Sequence, residues 1–392
     1  MRAIRTGRAG FTAMPLLAAW CAAALAGQPA PPKRVSYFPP AGTWEHKAPA
    51  EVGMDAAKLK QAVEWARAHE SKWDFERDQV RVFGRVLGDV PARRAHTNGV
   101  ILRHGYIVAE FGDTRAVDPA YSAAKSFLST TAAIALGKGL IRGVNDRAGA
   151  YVHDGGYDSP HNASITWRDH LQQQSEWEGV MWGKNANFLG VEEFGAGRRE
   201  PREIHDPGTY YEYNDVRINR LALSLARVFG EGLPGVLKRN IMDPIGASPD
   251  WRWKGYGANS EVEINGKRVE SVSGGTRWGG GLWIHSLDLA RFGLLFLNKG
   301  NWNGRRLVAE EWIREATTPS AHGPDYGYLW WLNTKRKQWP SGPASSFAAV
   351  GNGGNIVWID PEHSIVLVWR WYEGGKALDG MIRRIVAAAG GS

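Results

Sequence analysis

Cysteine is almost absent from this chain of 392 residues, which contains a single one, Cys21. We expect Cys21 to be lost with an N-terminal segment that is removed from the mature protein. A mature chain without thiols cannot form disulfides, use a cysteine nucleophile or bind a metal through thiolates. The other candidate ligands, His153, Asp154, Asp158 and His161, have mixed spacing among Gly and Pro, which predicts a loop. The sequence therefore predicts no metal and no cofactor.

The chain also lacks a strong excess of charge and any long basic run. Lys and Arg number 48 against 40 acidic residues. Loss of residues 1–26, which carry three Arg and no acid, leaves 45 against 40, a formal net charge of +5. Nucleic-acid-binding domains usually show a basic patch or stripe, so we expect no nucleic-acid partner.

The glycine-rich residues 274–281 lack the lysine of a phosphate-binding loop and are interpreted as close strand packing.

Residues 1–26 have the three parts of a secretory signal peptide. Three arginines precede an apolar stretch at 11–25, and Ala-Leu-Ala at 24–26 forms a cleavage site. The apolar stretch is short for a membrane-spanning helix, and Pro-rich sequence follows it. We expect export to the periplasm or the medium, with no stable membrane anchor after cleavage.

After an exposed lead-in at 27–45, the sequence predicts one domain of the α+β class at 46–392. Period-two alternation indicates strands, and apolar residues at helical spacing indicate helices. The predicted strands lie at 98–112 (a hairpin), 278–284, 346–349, 355–359 and 365–369, and the predicted helices at 54–69, 122–137, 215–229, 286–298 and 378–388. This order predicts an antiparallel sheet flanked by helices, completed by both ends of the domain, with an all-helical insertion at about 138–270.

A serine and a lysine three residues apart, Ser122 and Lys125, stand at the start of the helix predicted at 122–137. Residues at i and i+3 share one face of a helix, so Lys125 can reach the Ser122 hydroxyl. Free N–H groups and partial positive charge at a helix start would stabilise an oxyanion there. Because a serine becomes nucleophilic when a neighbour accepts its proton, the pair indicates acyl transfer. The alternative is a capping serine followed by an exposed lysine.

Three motifs in this order resemble those of the serine β-lactamase and penicillin-binding-protein superfamily. Residues 121–127 resemble its Ser-x-x-Lys motif, and residues 207–215 its Tyr-x-Asn motif. Residues 351–361 resemble its third-motif strand and the turn that follows. Two further segments, 166–177 and 279–292, resemble the esterase and amidase branch, which includes the aminohexanoate-dimer hydrolases. The resemblance covers most of the chain from 45 to 390 and implies a β-lactamase/transpeptidase-like fold.

The resemblance implies roles for several residues. Ser122 would attack the substrate carbonyl and become acylated. Burial beside Tyr213 would favour the neutral amine of Lys125, so either this amine or the Tyr213 phenolate could accept the serine proton. Tyr213 would then protonate the leaving group and help to activate the deacylating water. The oxyanion hole would combine the N–H groups of Ser122 and Ala349, the latter aligned without gaps on the third motif.

Two of the implied residues have other interpretations. Tyr213 alternates with Tyr211 as in a strand and could pack like most aromatic residues. Asp215 stands where the superfamily usually has Asn, and its position before Val216 suits a helix N-cap. An auxiliary role of Asp215 in the site is compatible with capping, so the sequence leaves both readings open.

The chain departs from the superfamily where substrates bind. It contains no Lys-Thr-Gly, and the aligned residues 346–348 are Ser-Phe-Ala. In the superfamily this Lys and Thr bind the carboxylate of a β-lactam or a peptide end. A neutral third motif instead favours an ester or amide with little charge near the scissile bond. Trp177 and Trp182, in a predicted loop across from the nucleophile, are candidates for substrate contact.

The sequence therefore predicts an exported serine hydrolase that cleaves small or peptide-like esters or amides through a Ser122 acyl-enzyme. One alternative is a β-lactamase or a D-Ala-type cell-wall peptidase. Another is a module that holds peptidoglycan or a different ligand in the same cleft without catalysis. The presence of Ser122, Lys125 and Tyr213 together argues against this last alternative. The oligomeric state is not predicted.

Overall fold

A six-stranded antiparallel sheet forms the centre of the fold, in the order β12-β13-β14-β15-β1-β2. The structure is a computed structural model and describes residues 36–83, 93–188, 201–274 and 281–390. The predicted signal peptide therefore lies outside the described residues. The strands of this sheet are β1 (Asn98–Arg103), β2 (Tyr106–Phe111), β12 (Trp331–Leu332), β13 (Phe347–Gly351), β14 (Asn355–Asp360) and β15 (Ile365–Arg370). Strands from both ends of the domain pair through β15 and β1, as the sequence predicts.

The other strands form small sheets around the central one. A three-stranded sheet has the order β3-β9-β6, and the remaining strands form two-stranded hairpins. Their bounds are β3 (Asp118–Pro119), β4 (Val180–Met181), β5 (Lys184–Asn185), β6 (Arg252–Lys254), β7 (Glu261–Ile264), β8 (Lys267–Glu270), β9 (Gly281–Ile284), β10 (Asn301–Trp302) and β11 (Arg305–Arg306).

Helices cover both faces of the central sheet. The α-helices are α1 (Ala56–Ala68), α2 (Phe75–Phe83), α3 (Ala124–Gly137), α4 (Trp167–Leu171), α5 (Asp215–Phe229), α6 (Leu233–Leu237), α7 (Ser286–Leu297), α8 (Glu310–Ala316) and α9 (Gly375–Ala388). Short 3₁₀ turns lie at Pro49–Val52, Tyr121–Ala123, Ala148–Ala150, Asn162–Ser164, Ala186–Phe188 and Gly257–Ser260, and a π turn at Lys238–Met242. Among the described residues, no helix is both long and apolar enough to cross a membrane.

The strand β15 shows why the sheet is buried on both faces. Its residues alternate between two apolar clusters, because successive side chains of a strand point to opposite faces. Val366 and Val368 pack in the larger cluster with Phe292 of α7. Leu367 and Trp369 pack in the second cluster with α1 and α9. The uninterrupted apolar run in this strand therefore reflects burial on both sides.

The structure differs from the predicted organisation in two segments of the chain. The segment 138–270 contains α4, α5 and α6 but also β6 and the hairpins β4–β5 and β7–β8, so it is not all-helical. The lead-in predicted as exposed at 27–45 is exposed at 40–43 and 45, but its described part also makes hydrogen bonds to the domain. The Arg291 guanidinium donates hydrogen bonds to the carbonyls of Pro39, Pro40 and Thr43 at 2.8–2.9 Å. The compact unit accordingly begins at Ser36.

Candidate active site

The turn that carries Ser122 is fixed between the two sheets. It follows β3, pairs through the Ala120 N–H with the Leu282 carbonyl of β9 at 2.8 Å, and leads directly into α3. Tyr121 has a left-handed backbone, with φ of 48°, so the preceding chain turns sharply before the serine. Such conformations cost energy in non-glycine residues and often occur at functional sites. Ser122 is half-buried in the 3₁₀ turn at Tyr121–Ala123, so α3 begins two residues after the predicted start at 122.

Lys125 lies one turn further along and faces Ser122. Its Nζ donates a hydrogen bond to Ser122 Oγ at 2.9 Å, and the side chain is only 1% exposed. The same Nζ lies 2.5 Å from Asp215 Oδ1 and 4.6 Å from the centre of the Tyr213 ring. The structure therefore brings together Ser122, Lys125, Tyr213 and Asp215, although up to 93 positions separate them in the chain. A solvent-exposed lysine, the alternative for Lys125, is not what is found.

Asn214, not Asp215, caps the helix α5. The Asn214 side chain accepts a hydrogen bond from the Arg217 N–H at 3.0 Å. Asp215 is the first residue of that helix, and its side chain, 17% exposed, pairs with Lys125. The capping role suggested for Asp215 is thus wrong, because the N-cap lies one residue earlier. This shift frees the Asp215 carboxylate to lie in the site.

Tyr213 is held between aromatic rings. Its ring stacks on Trp331 at 5.8 Å between centroids and meets Tyr326 edge to face at 6.0 Å. Burial raises the pKa of Tyr326, and the nearby Tyr213 and Tyr211 raise it further, so that this phenol stays neutral. The half-buried Tyr213 belongs to the wall of the cleft that contains Ser122. Tyr213 therefore both packs against other aromatic rings and lines the cleft.

The backbone around Tyr213 is anchored by Gln173. The Asn214 N–H donates to Gln173 Oε1 at 2.6 Å, and the Glu212 N–H donates to the Gln173 carbonyl at 3.1 Å. Gln173 Nε2 in turn donates to the hydroxyl of Tyr326 at 3.1 Å. These bonds fix the residues on both sides of Tyr213, so the position of its ring is determined by buried groups.

A buried ionic network supports the same stretch. Glu176, which is not exposed, accepts hydrogen bonds from Arg202 and Arg217, and both arginines also bind Glu212 at 2.9–3.0 Å. Burial alone would raise the pKa of Glu176. Hydrogen bonds from Arg202 and the charge of Arg217 outweigh burial and lower this pKa below its ordinary value. The network therefore stays charged at neutral pH and holds Glu212 beside Tyr213.

The cleft above Ser122 has a volume of about 520 Å³. Its walls combine aromatic residues, the glycine-rich end of β13 and two acidic side chains. The residues lining it are Ser71, Trp73, Tyr121, Ser122, Tyr213, Asp215, Trp331, Val350, Gly351, Asn352, Gly353, Gly354, Tyr372, Glu373, Gly374 and Gly375. Among the described residues, no group of three or more His, Cys, Asp or Glu side chains is arranged to hold a metal ion.

The predicted oxyanion donor Ala349 does not lie in this cleft. It is buried in the larger apolar cluster and pairs with Val357 of β14. The end of β13 that reaches the cleft is Val350 to Asn352. There Gly351 lies against the chain before Ser122, and a Cβ on it would come within 2.0 Å of the Ala120 carbonyl oxygen. Only a residue without a side chain allows this approach, so Gly351, and not the predicted Ala349, marks the part of β13 that lies beside the nucleophile turn.

The two tryptophans predicted to touch substrate also lie elsewhere. Trp177 is buried, donates through Nε1 to the Gly156 carbonyl at 2.7 Å, and packs against the Arg220 guanidinium. Trp182 lines a separate small pocket with Val216 and Tyr256. Neither lines the Ser122 cleft, because the loop that carries them turns towards the core of the insertion.

The cleft is lined by other aromatic residues, which the sequence analysis does not predict. Trp73 meets Tyr121 edge to face at 5.7 Å, and Trp331 stacks on Tyr213. Tyr372 and the exposed Glu373 complete the wall. Four aromatic residues within 326–331 were a usable signal for Trp331. Trp73 had no comparable signal, since it stands far from every motif.

The fold, with a Ser-x-x-Lys pair at a helix start inside a cleft, indicates a serine hydrolase. The sequence model of the Beta-lactamase family matches residues 92–385, and the chain belongs to this family. No curated protein matched in sequence.

Solved structures share the fold at low sequence identity. A penicillin-binding-protein homologue from Caulobacter crescentus gives a TM-score of 0.57 at 16% identity, over 86% of this chain and 98% of that one. A family VIII carboxylesterase gives a TM-score of 0.57 at 14% identity, over 86% of this chain and 99% of that one. A putative 6-aminohexanoate-dimer hydrolase from Bacillus anthracis gives a TM-score of 0.51 at 16% identity, over 76% of this chain and 79% of that one. The predicted α+β, β-lactamase/transpeptidase-like fold is thus confirmed.

Proposed function

We propose that the protein is an exported hydrolase that cleaves ester or amide bonds through an acyl-enzyme on Ser122. The observation that carries the proposal is the 2.9 Å hydrogen bond between Lys125 Nζ and Ser122 Oγ, at a helix start inside a cleft. A buried amine in contact with a serine hydroxyl is the arrangement that activates this nucleophile. Similarity of fold to a carboxylesterase and to a putative amide hydrolase is in keeping with this chemistry.

Lys125 and Asp215 act as a proton relay in this proposal. Lys125 accepts the Ser122 proton while it passes one of its own protons to Asp215, 2.5 Å away. Ser122 Oγ then forms a bond with the substrate carbonyl carbon. As the tetrahedral intermediate collapses, the bond to the leaving alcohol or amine breaks, and the leaving group receives the proton. In this proposal Tyr213, whose ring centre lies 4.6 Å from Lys125 Nζ, gives its phenolic proton to the leaving group and takes one back from the Lys125–Asp215 pair. In deacylation water takes the place of the leaving group: it loses a proton to the relay and bonds to the acyl carbon, and the acyl–Oγ bond then breaks as Ser122 Oγ regains a proton.

The oxyanion hole in this proposal uses the Ser122 N–H and a backbone N–H at the end of β13. Because Ala349 is buried outside the cleft, the second donor is assigned to Asn352, which follows the last paired residue of the strand and lines the cleft. Loss of one such donor typically costs about 3 kcal/mol of transition-state stabilisation. The close contact between Gly351 and Ala120 sets the separation of the two donors.

Labelling of Ser122 tests the proposal. A fluorophosphonate should add its mass to the Ser122 peptide, and a p-nitrophenyl ester should give an early burst of nitrophenol. Ser122→Ala should abolish both. The matched control is Ser126→Ala on the same helix, whose hydroxyl donates to the Leu329 carbonyl at 2.8 Å and does not line the cleft. Label on another residue, or no burst with any activated ester, would refute the acyl-enzyme and favour a ligand-binding module.

The same preparation separates ester or amide hydrolysis from β-lactam chemistry. The described lining of the cleft contains no Lys, Arg or His that could bind the carboxylate of a β-lactam or a peptide end. We therefore expect slow nitrocefin turnover and no release of D-Ala from muropeptides. Rapid turnover of either would replace the proposed substrate class while leaving Ser122 as the nucleophile.

Export is part of the proposal because residues 1–26 have the pattern of a signal peptide. After expression of the full chain, the mature protein should appear in the periplasm or medium with a new N-terminus at Gly27. Intact mass measurement of each cell fraction checks this. An uncleaved chain in the cytoplasm would contradict it.

A further inference from the structure

A short arm before α2, residues 69–74, forms part of the cleft wall near Ser122. Ser71 and Trp73 of this arm both line the cleft. The Ser71 N–H donates to the Trp371 carbonyl at 2.6 Å. The arm is therefore hydrogen-bonded to the chain that follows β15.

Arg94 holds this arm in place. Its Nε donates to the Trp73 carbonyl at 2.7 Å, its Nη2 to the Ser71 carbonyl, and its Nη1 to Glu70 Oε1 at 2.8 Å. The guanidinium also lies over the Trp371 ring, 5.1 Å from the ring centre. A planar guanidinium suits donation in several directions at once, which a lysine ammonium does not reproduce. The position of Trp73 in the cleft therefore depends on Arg94.

Trp73 lies against the chain next to both proposed oxyanion donors. Its ring meets Tyr121, which precedes Ser122, edge to face at 5.7 Å between centroids. A Cβ on Gly353, which follows Asn352, would come within 3.3 Å of the ring. The half-buried indole therefore borders the place where the substrate carbonyl would be bound.

The proposed reaction assigns three directions around the substrate carbonyl carbon. The Ser122 oxygen bonds to this carbon, the oxyanion faces the two backbone N–H groups, and the leaving group lies towards Tyr213. Trp73 belongs to a different wall from Tyr213, whose ring is covered by Trp331. The fourth substituent, the acyl group, is left to face the Trp73 indole. Aromatic groups gain most from such a ring, because aromatic pairs add stabilisation beyond their buried area.

We propose that Trp73, held in place by Arg94, selects substrates whose acyl group carries a flat aromatic ring close to the carbonyl. The proposal rests on the hydrolase function proposed above and adds the class of acyl group. Trp73 is the specificity-determining residue, and Arg94 is the residue that positions it.

Three p-nitrophenyl esters test the role of Trp73: the phenylacetate, the cyclohexylacetate and the acetate. They share one leaving group, and the rings of the first two differ in flatness but little in size. Trp73→Leu should lower kcat/KM for the phenylacetate by about 2- to 10-fold relative to the acetate, the range of one aromatic pair. The fall should be smaller for the cyclohexylacetate, and Trp73→Phe should retain most of the wild-type preference. Equal effects of Trp73→Leu on the two ring-bearing esters, or on all three, would overturn the proposal.

Arg94→Lys should lower the same phenylacetate-to-acetate ratio, because the indole loses its anchor. Combined with Trp73→Leu, it should change the ratio no further, since both act through one ring. A ratio measured on one preparation does not depend on how much of the enzyme is folded, so a loss of stability alone leaves it unchanged. An unchanged ratio in Arg94→Lys, or a further fall in the double variant, would refute the positioning role.

Arg291→Lys is the matched control for Arg94→Lys. The Arg291 guanidinium also donates to backbone carbonyls and lies over an indole, that of Trp44, outside the cleft. This variant should lower the urea midpoint without changing the ratio. A matching change in the ratio would mean that general loosening of the fold, and not the Trp73 wall, accounts for the effect.

A failure of the hydrolase function gives a different result. Without turnover of any ester, that function fails, and calorimetric binding of phenylacetamide and cyclohexylacetamide to the Ser122→Ala variant still tests the aromatic wall. Tighter binding of phenylacetamide that disappears when Trp73→Leu is added supports it. Equal binding of the two amides, or a preference that survives Trp73→Leu, refutes it.

Discussion

The two sides of the site are held in place by different kinds of interaction. On the nucleophile side, the fully buried Arg370 donates to the carbonyls of Ile284 and Pro119 at 2.6–2.7 Å, which fixes the chain before Ser122 to β15. Asp118 accepts from the Trp371 indole at 2.9 Å on the same side. These contacts join a charged or polar side chain to neutral groups of the sheet.

On the tyrosine side, carboxylates and guanidinium groups carry the structure. Glu176 and Glu212 bind Arg202 and Arg217, and Glu212 directly precedes Tyr213 in the chain. The nucleophile side therefore depends mainly on sheet geometry and on the hydrogen bonds of Arg370. The tyrosine side depends on charge balance. Loss of one charge should disturb Tyr213 and Asp215 while Ser122 keeps its position.

The largest effect is expected where the two sides meet, at Lys125. Lys125→Met should lower kcat by about 10²- to 10⁴-fold, the usual contribution of a proton-transfer group. It should also destabilise the fold by about 3 kcal/mol, because Asp215 then lacks its buried partner. Steady-state ester hydrolysis and urea unfolding measure the two effects.

The double variant Lys125→Met/Asp215→Asn separates catalysis from stability. Removing the orphaned carboxylate should restore most of the unfolding free energy without restoring kcat. Recovery of activity in the double variant would show that Lys125 merely neutralises Asp215, and the relay would have to be abandoned.

Glu176→Gln should disrupt the ionic network on the tyrosine side and leave the nucleophile side unchanged. The substitution keeps the shape but leaves the buried Arg217 and the half-buried Arg202 with one carboxylate fewer, at a cost of about 3 kcal/mol of unfolding free energy. Displacement of Tyr213 should lower kcat, but less than Lys125→Met does. Fluorophosphonate labelling of Ser122 should continue at a reduced rate. Glu231→Gln, which breaks the surface pair with Arg239, is the control and should cost less than about 1 kcal/mol.

Acid should weaken the tyrosine side first. The pKa of Glu176 in the folded protein lies below its ordinary value of 4.5. Its contribution to stability is therefore complete above that ordinary value and is lost as the pH falls through the lower, folded one. Arg370 remains charged throughout, although burial lowers its pKa to about 10. Urea midpoints between pH 6 and 3 should fall more steeply in the wild type than in Glu176→Gln. Parallel curves would mean that another group controls acid unfolding.

The sequence predicts the nucleophile side better than the tyrosine side, for a physical reason. Ser122 and Lys125 belong to one helical turn, so local spacing alone places the amine beside the hydroxyl. The hairpin at 98–112 and the strand β15 follow from alternation and an apolar run in the same local way. The pairing of Asp215 with Lys125 depends on how α3 and α5 pack, which no local pattern encodes.

The errors have the same origin. Ala349 was assigned by counting along a strand, whereas contact of Gly351 with Ala120, far away in the chain, decides which residues reach the cleft. Trp177 is predicted to touch substrate from its place in a loop across from the nucleophile. Its direction depends on Glu176, whose backbone is left-handed with φ of 48°, and on a hydrogen bond to Gly156. Side-chain direction in a loop requires those tertiary contacts to be known.

The smallest expected effect concerns Trp331, the ring stacked on Tyr213. Trp331→Phe keeps an aromatic contact but loses part of the stacking surface, and such pairs contribute about 0.5–1.5 kcal/mol. We expect kcat to fall by up to about 10-fold while the unfolding free energy changes little, since Trp331 is only half-buried. Trp339→Phe is the matched control, because that indole is buried outside the cleft. If both variants lower kcat equally, general packing and not the orientation of Tyr213 would account for the loss. An effect confined to Trp331→Phe would show that stacking, together with charge, positions the phenol.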